Sequence, residues 1–421
     1  MQPTPKRFLG ICAISVATLG LLVVAFNVLV DPYLLFDRPR ILGFNAKKPG
    51  IEDQLYLIKA YDVSRSHPRT LLIGSSGIAV GLSARSAAWP NDLRPVYNLG
   101  ILGGSTSSAY RYLQHALTQS DIRLVVMGVE FRDLLAYSRQ HEPQYEPRLT
   151  VNLDGSRNSS SNRQRLYDLL FSSLSFNASI DSTLTMMGNV AGDSSDIESG
   201  DVDFKLFRSL NARFGPYPNM TYSDISYSYL YRDGYVSSQP LIDVGKVLQL
   251  CREKKIKLII LIDPAHADEL ELTYMSEKWG ALEEWKRKLT ALVASFATQD
   301  ERYAPQLWDF YEFDTYSSES LWTNRSYMKW FLTPTHYTPD LGDQLISRIF
   351  GSGDPQLGTQ LTPQNIENHL AEIRRQRVSY QNRQPRDLGR AYDIYTQVDP
   401  AAIERLTPKI TSTMPADASA K

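Results

Sequence analysis

Five short, continuous apolar runs organise most of the chain: TLLIGSS (70–76), PVYNLGI (95–101), LVVMGVEF (124–131), KLIILID (257–263) and QLWDFYEF (306–313). A strand with one face in water alternates apolar and polar residues, whereas a continuous apolar run suits a strand covered on both faces, as in a parallel sheet. Between the runs lie TSSAYRYLQHALTQS, PLIDVGKVLQLCREKK and DELELTYMSEKWGALEEWKRKLTALVASF, whose apolar residues recur at helical spacing. The alternation predicts a doubly wound α/β domain with a mainly parallel sheet of about five strands.

The longest apolar stretch stands apart from this pattern. Phe8 to Val30 carries no Asp, Glu, Lys or Arg and exceeds the ~20 residues a helix needs to cross a hydrocarbon core of about 30 Å. It is also longer than the ~7–15-residue apolar region of a cleaved signal peptide, and no small-x-small site follows it, so a retained single-pass anchor is expected. Charge alone does not orient it, because Lys6 and Arg7 on one flank oppose Arg38, Arg40, Lys47 and Lys48 on the other.

The series of runs is interrupted between residues 134 and 240, where NLDGSRNSSSNRQR and GNVAGDSSDIESGDVDF are polar and RLYDLLFSSLSF has amphipathic helical spacing. This segment reads as one long insertion, either a lid or binding loop or a disordered surface excursion. The expected organisation is a tip and membrane anchor (1–31), a first part of the α/β domain (32–133), the insertion (134–240), a second part of the domain (241–351), and a polar C-terminal tail (352–421). That tail contains one helix at TPQNIENHLAEIRRQRVSY and ends in TSTMPADASAK, expected to be disordered.

Composition narrows the function classes. The 45 basic and 46 acidic residues are spread without long runs, which gives no footprint for nucleic acid. The two cysteines, Cys12 and Cys251, make a structural disulfide or a cysteine metal site improbable. The six histidines show no H-E-x-x-H spacing, and no G-x-G-x-x-G, Walker loop or G-x-S-x-G elbow is present. No metal or other cofactor is therefore expected. Tyr is abundant and clusters in TYSDISYSYLYRDGY, a run that reads as core or edge strand, or as a set of faces for sugar rings.

In an open parallel sheet, ligands bind beyond the carboxyl ends of the strands. Gly74, Ser75 and Ser76 follow the first run; Asn98, Gly100, Gly103 and Gly104 the second; Glu130, Arg132 and Asp133 the third; Asp263 and His266 the fourth. Near the end of the domain, FLTPTHYTPDLGDQLISRIF places His336 in a loop before a helix. Each has an ordinary reading as well. Ser75 and Ser76 suit a turn or a helix cap, NLGILGGST a strand-to-helix turn, His266 a helix cap, and Glu130 with Asp133 a pair of structural hydrogen-bonding groups.

Taken in order, the strand ending in GSS, then NLGILGGST, then HYTPDLGDQLI resemble the SGNH (GDSL-type) hydrolase superfamily. With VDPYLLF after a membrane helix, they resemble its membrane-anchored bacterial branch, similar to alginate O-acetylation proteins and the D-alanyl-lipoteichoic-acid protein. The resemblance covers roughly residues 25–135 and 240–350 and implies an SGNH/flavodoxin-like sheet. It places the nucleophile on Ser76 and the base on His336, and it implies oxyanion donors at the Ser76 amide and at Gly103, Gly104 and Asn98. Ser75, Glu130, His266, Thr333 and Asp340 are candidates for support or substrate contact.

Two positions depart from the family pattern. Thr333 stands where the family has an aspartate three residues before the histidine, and a threonine can fix an imidazole tautomer but cannot stabilise an imidazolium by charge. Asp309, Asp314 or Asp340 would have to substitute. Glu130 falls close to the family's oxyanion asparagine, where an ionised carboxylate would repel the oxyanion. The resemblance thus implies an extracytoplasmic (periplasmic or extracellular) esterase or O-acyltransferase acting on acyl, in the first place acetyl, esters of a cell-envelope polysaccharide. The alternative is a catalytically degenerate scaffold that binds glycan or partners a membrane-bound acyltransferase.

Overall fold

The computed structural model describes residues 5–136, 146–191, 196–203, 217–322 and 328–411. Helix α1 (Pro5–Val30) is long and apolar enough to cross a membrane. A turn anchored on Asp31 leads to α2 (Leu55–Ser66) and then to the sheet.

The sheet begins with β1 (Thr70–Ile73), which runs into α3 (Ser76–Gly81). It continues through β2 (Val96–Asn98), α4 (Thr106–Ala116) and β3 (Leu124–Val129). After the interruption come α5 (Ser161–Leu174), α6 (Phe176–Ala191), α7 (Tyr217–Asp233) and α8 (Gln239–Lys254). The alternation then resumes with β4 (Lys257–Ile262), α9 (Ala267–Met275), α10 (Trp279–Ala294) and β5 (Gln306–Asp309). A hairpin of β6 (Phe331–Thr333) and β7 (His336–Tyr337) precedes α11 (Pro339–Ile349).

The five parallel strands are ordered β2-β1-β3-β4-β5, and a sixth, β8 (Thr359–Gln360), adds antiparallel to β5. The sheet therefore has six strands rather than about five. Two residues of polar sequence carry no periodic signal, and only their pairing at the sheet edge makes them a strand. Both faces are covered, as the continuous runs required. In β3, Val125, Met127 and Val129 face a core shared with α4, α8 and α10, while Leu124 and Val126 face Ile78 of α3 and Leu341 of α11.

Two other segments differ from their reading in sequence, while the insertion keeps the helix expected at RLYDLLFSSL. The polar C-terminal segment contributes, besides β8, three helices: α12 (Ile366–Arg383), α13 (Pro385–Val398) and α14 (Ala402–Thr411). Leu370, Tyr380, Tyr395 and Leu406 join the main core, because each helix is amphipathic with a polar outer face that dominates its composition. The expected disordered end lies, past Thr411, outside the described residues. The tyrosine-rich run is helix α7 rather than a strand, and Tyr231 is buried in it. The insertion holds a helical hairpin, α5–α6, and a short β-hairpin over 196–203 that packs on α3.

Candidate active site

Ser76 opens helix α3 immediately beyond the carboxyl end of β1, beside the point where strand order reverses between β1 and β3. The turn requires Gly74, whose φ is +151° and whose Cβ would lie 2.7 Å from Ile78 Cγ1. A short helix is held in place by what packs on it. The Tyr337 ring occupies the space a Gly81 side chain would need, and Gly342 of α11 approaches the Gly81 carbonyl equally closely.

His336 arrives from the β6–β7 hairpin, in which Thr333 pairs directly with His336 across Pro334 and Thr335. Ser76 Oγ lies 2.8 Å from His336 Nε2. On the other side of the ring, Nδ1 lies 2.7 Å from Thr333 Oγ1 and 3.2 Å from Thr335 Oγ1. With Nδ1–H donating to the threonine hydroxyls, the Nε2 lone pair is free to accept from Ser76, which is the tautomer a general base needs. Ser76 and His336 both keep partial solvent access. Enclosure of most of the ring, with a smaller push from Arg132, lowers the His336 pKa to about 3, so the imidazole is neutral at neutral pH.

No carboxylate reaches His336 Nδ1 among the described residues. Asp309 is buried against Lys286 and His369 at 2.6 and 2.8 Å. Asp314 accepts from the backbone N–H groups of Tyr316 and Ser317. Asp340 is exposed in the first turn of α11.

Ser75 and Glu130 meet, the serine hydroxyl donating to Glu130 Oε1 at 2.8 Å. Glu130 also forms a close ion pair with Arg132, which offsets its charge. Behind Gly77, the residue after the nucleophile candidate, a Cβ would sit 2.6 Å from Glu130 Oε1 and 2.8 Å from Asp263 Oδ2. Burial, reinforced by the neighbouring Glu130 and Asp133 charges, raises Asp263 well above the ordinary carboxylate range. The Asp263 side of this pair therefore resists adding a second negative charge below α3.

The oxyanion donors are arranged differently from expectation. Asn98 is fully buried; its Nδ2 donates to the carbonyls of Ile78 and Leu82, and its Oδ1 accepts from Gly100 N. Both amide hydrogens are thus committed to tethering α3, and Asn98 is a structural tie rather than an oxyanion donor. The Gly104 amide is bonded to Ile101 O at 2.9 Å, whereas Gly103 is exposed at φ +65° with open space around it. The Ser76 amide lies in the first turn of α3, where N–H groups lack an intrahelical acceptor, and the Ser75 side chain does not cap it.

His266 is bonded to the hairpin that carries His336, its backbone N–H donating to Pro334 O at 2.7 Å, but its ring makes no hydrogen bond to either member of the dyad. Its Nδ1 accepts from Asp268 N, capping α9, and its Nε2 contacts Glu319 O at 2.7 Å. Burial opposes its charged form, but Asp268 and the Glu319 carbonyl together raise its pKa.

Two participants carried no usable signal in the sequence. Thr335 Oγ1 donates to Tyr227 Oη at 3.1 Å, and the Arg132 guanidinium lies 5.2 Å from the centre of the Tyr227 ring. A residue of the insertion therefore joins the Glu130 ion pair to the support of His336. The alternation of hydroxyls in TPTHY marks Thr335 in retrospect, but nothing local marks Tyr227. A cavity of about 370 Å³ lies elsewhere, bounded by Tyr33, Arg148, Asp168 and Phe171, and contains neither member of the dyad.

Comparison with family models, with curated proteins and with solved structures finds no match to the chain. What the site can do rests on its own geometry. A part-exposed serine whose hydroxyl meets a neutral imidazole, at the carboxyl end of a parallel sheet, is suited to nucleophilic attack on an electrophilic carbonyl.

Proposed function

We propose that this chain is a membrane-anchored SGNH-like serine esterase or O-acyltransferase, acting outside the cytoplasm on acyl, foremost acetyl, esters of a cell-envelope glycan. The observation that carries the catalytic part is the 2.8 Å contact of Ser76 Oγ with His336 Nε2. The substrate class, the side of the membrane and the family rest on the resemblance of GSS, NLGILGGST and HYTPDLGD in their order along the chain.

In this reading Ser76 Oγ bonds to the ester carbonyl carbon as its proton passes to His336 Nε2. The tetrahedral adduct collapses, breaking the bond to the leaving alcohol oxygen, which takes the proton from Nε2 and leaves an ester on Ser76. Water or a second sugar hydroxyl then attacks that ester with the same proton path, giving hydrolysis or transfer respectively. The Ser76 amide, with Gly103 on the neighbouring loop, is the candidate donor set for the oxyanion.

A second reading has its own observation. Thr333 supplies a dipole where a carboxylate would supply charge, and enclosure lowers the basicity of His336. Both favour a degenerate scaffold that binds glycan or partners a membrane acyltransferase.

The test is fluorophosphonate labelling of the purified full-length chain in detergent, with mass spectrometry of the peptide containing Ser76. Modification that falls sharply in His336→Ala supports the enzyme. An unmodified Ser76 in a chain shown by circular dichroism to be folded replaces it with the scaffold.

A further inference from the structure

The α5–α6 hairpin has its polarity reversed relative to a helix packed in water. In α5 the outward positions Leu166, Leu170 and Leu174 are all more than half exposed, while Asp168, Ser172 and Ser173 are buried. In α6 the outward positions Phe176, Ile180 and Leu184 recur every fourth residue, while Ser182 and Thr185 are buried. A surface helix of a water-soluble domain turns its apolar stripe inward and its polar face outward. Contiguous exposed apolar area of this kind marks a surface built to be covered.

What covers it follows from where the hairpin sits. Both helices pack on α1. Asn27 Nδ2 donates to Ser173 O at 3.0 Å and to Ser179 Oγ at 3.1 Å, which places the hairpin turn against the last turns of the apolar helix. Tyr33 bonds Asp181, and Lys47 N donates to Asn189 Oδ1 at 2.9 Å, tying the far end of α6 to the segment that leaves α1. Along α1 the packed side begins at Gly20, and the preceding residues are exposed. At 1.5 Å per residue, Gly20 to Val30 spans about 15 Å, roughly one leaflet of a hydrocarbon core of about 30 Å. Helices packed on those turns lie at the same depth. Their buried positions include Ser172, Ser173, Ala178, Ser182 and Thr185, small and polar residues of the kind that join helices when lipid rather than water is outside.

We infer that α5 and α6 form a second membrane element, a helical hairpin seated in the leaflet at the carboxyl end of α1 with its leucine and isoleucine stripes against lipid acyl chains. The insertion then fixes the α/β domain close to the membrane surface at two places, α1 and the hairpin. Exposed Arg38 and Arg40, in the segment between α1 and α2, would lie at the headgroup level. The inference depends on α1 spanning a bilayer and not on any chemistry at Ser76.

The test uses the full chain in phosphatidylcholine–phosphatidylglycerol liposomes. Nitroxide labels at Leu174→Cys and Leu184→Cys, in a Cys12→Ser, Cys251→Ala background, are compared with Leu21→Cys in α1 and with Leu153→Cys, an exposed position in the first loop of the insertion, which Arg111 of α4 ties to the α/β domain through the Val151 and Asn152 carbonyls. Collision with dissolved oxygen severalfold above that with a nickel chelate at 174 and 184, as at 21, is the expected result. Nickel access equal to that at 153 overturns the inference by placing the hairpin in water. Protection from both reagents also overturns it, because a second copy or another protein then covers the face. Unsubstituted chain labelled with a bilayer-partitioning aryl diazirine gives an independent readout. Peptides from 161–191 should label severalfold above those from 366–398, and equal labelling removes the hairpin from the membrane.

Discussion

Thr333 Oγ1 lies 2.7 Å from His336 Nδ1, on the side of the imidazole opposite Ser76. The two residues pair across the β6–β7 hairpin, so the support of the His336 ring is built into one local turn. A hydroxyl there fixes the tautomer without supplying negative charge. This relationship sets the first two predictions.

Substituting either member of the dyad should abolish the reactivity of Ser76. In His336→Ala the rate of fluorophosphonate modification is expected to fall by about 10²–10⁴, the range in which general-base assistance operates. Ser76→Ala should remove labelling altogether with no change in thermal unfolding beyond about 0.5 kcal/mol, since Ser76 is part-exposed. The two measurements are intact-mass labelling kinetics and a melting curve.

Thr333→Asp should raise the reactivity of Ser76 by roughly tenfold or more, because a carboxylate behind Nδ1 stabilises the imidazolium that forms on proton transfer. Thr333→Val should lower it, having neither charge nor acceptor. An Asp variant that stays folded and reacts no faster would show that the base is limited by something other than this position.

The pH dependence has a definite sign. His336 stays neutral in the fold down to about 3, whereas an unfolded histidine takes its proton near 6.5. Between those values the unfolded chain binds more protons, so the His336 contribution to stability rises with pH and is fully present above about 6.5. It is lost progressively on acidification from there towards about 3. Reactivity of Ser76 measured from pH 7 down to 5 should therefore show no loss centred on the ordinary histidine value. A midpoint near 6.5 that disappears in His336→Ala would contradict the depressed basicity.

Gly77→Ala should be destabilising out of proportion to its size. Its Cβ would fall 2.6 Å from Glu130 Oε1 and 2.8 Å from Asp263 Oδ2, two groups themselves held in a packed, buried site. Overpacking of this kind amounts to about 1–3 kcal/mol, read as a lower melting temperature, and displacement of α3 should slow labelling at Ser76 in the same variant. Gly280→Ala, within α10 and with nothing within 4 Å of the added carbon, is the control and should be neutral or stabilising by up to about 1 kcal/mol.

The sequence by itself determined what depends on local composition and period. Continuous apolar runs mark β1 to β5 because a strand covered on both faces has no polar side to show, and the uncharged stretch from Phe8 to Val30 marks α1 because no other role demands it. Tertiary structure decided what depends on the partner. Asn98 reads as a free donor until its amide hydrogens are seen committed to Ile78 and Leu82. Thr359 and Gln360 are a strand only because β5 offers an edge. Tyr227 reaches Thr335 from more than a hundred residues away. The contact between Ser76 and His336 spans 260 positions, and it exists because α3 and the β6–β7 hairpin pack together on one face of the sheet, Ile78 and Leu82 beside Phe331 and Tyr337.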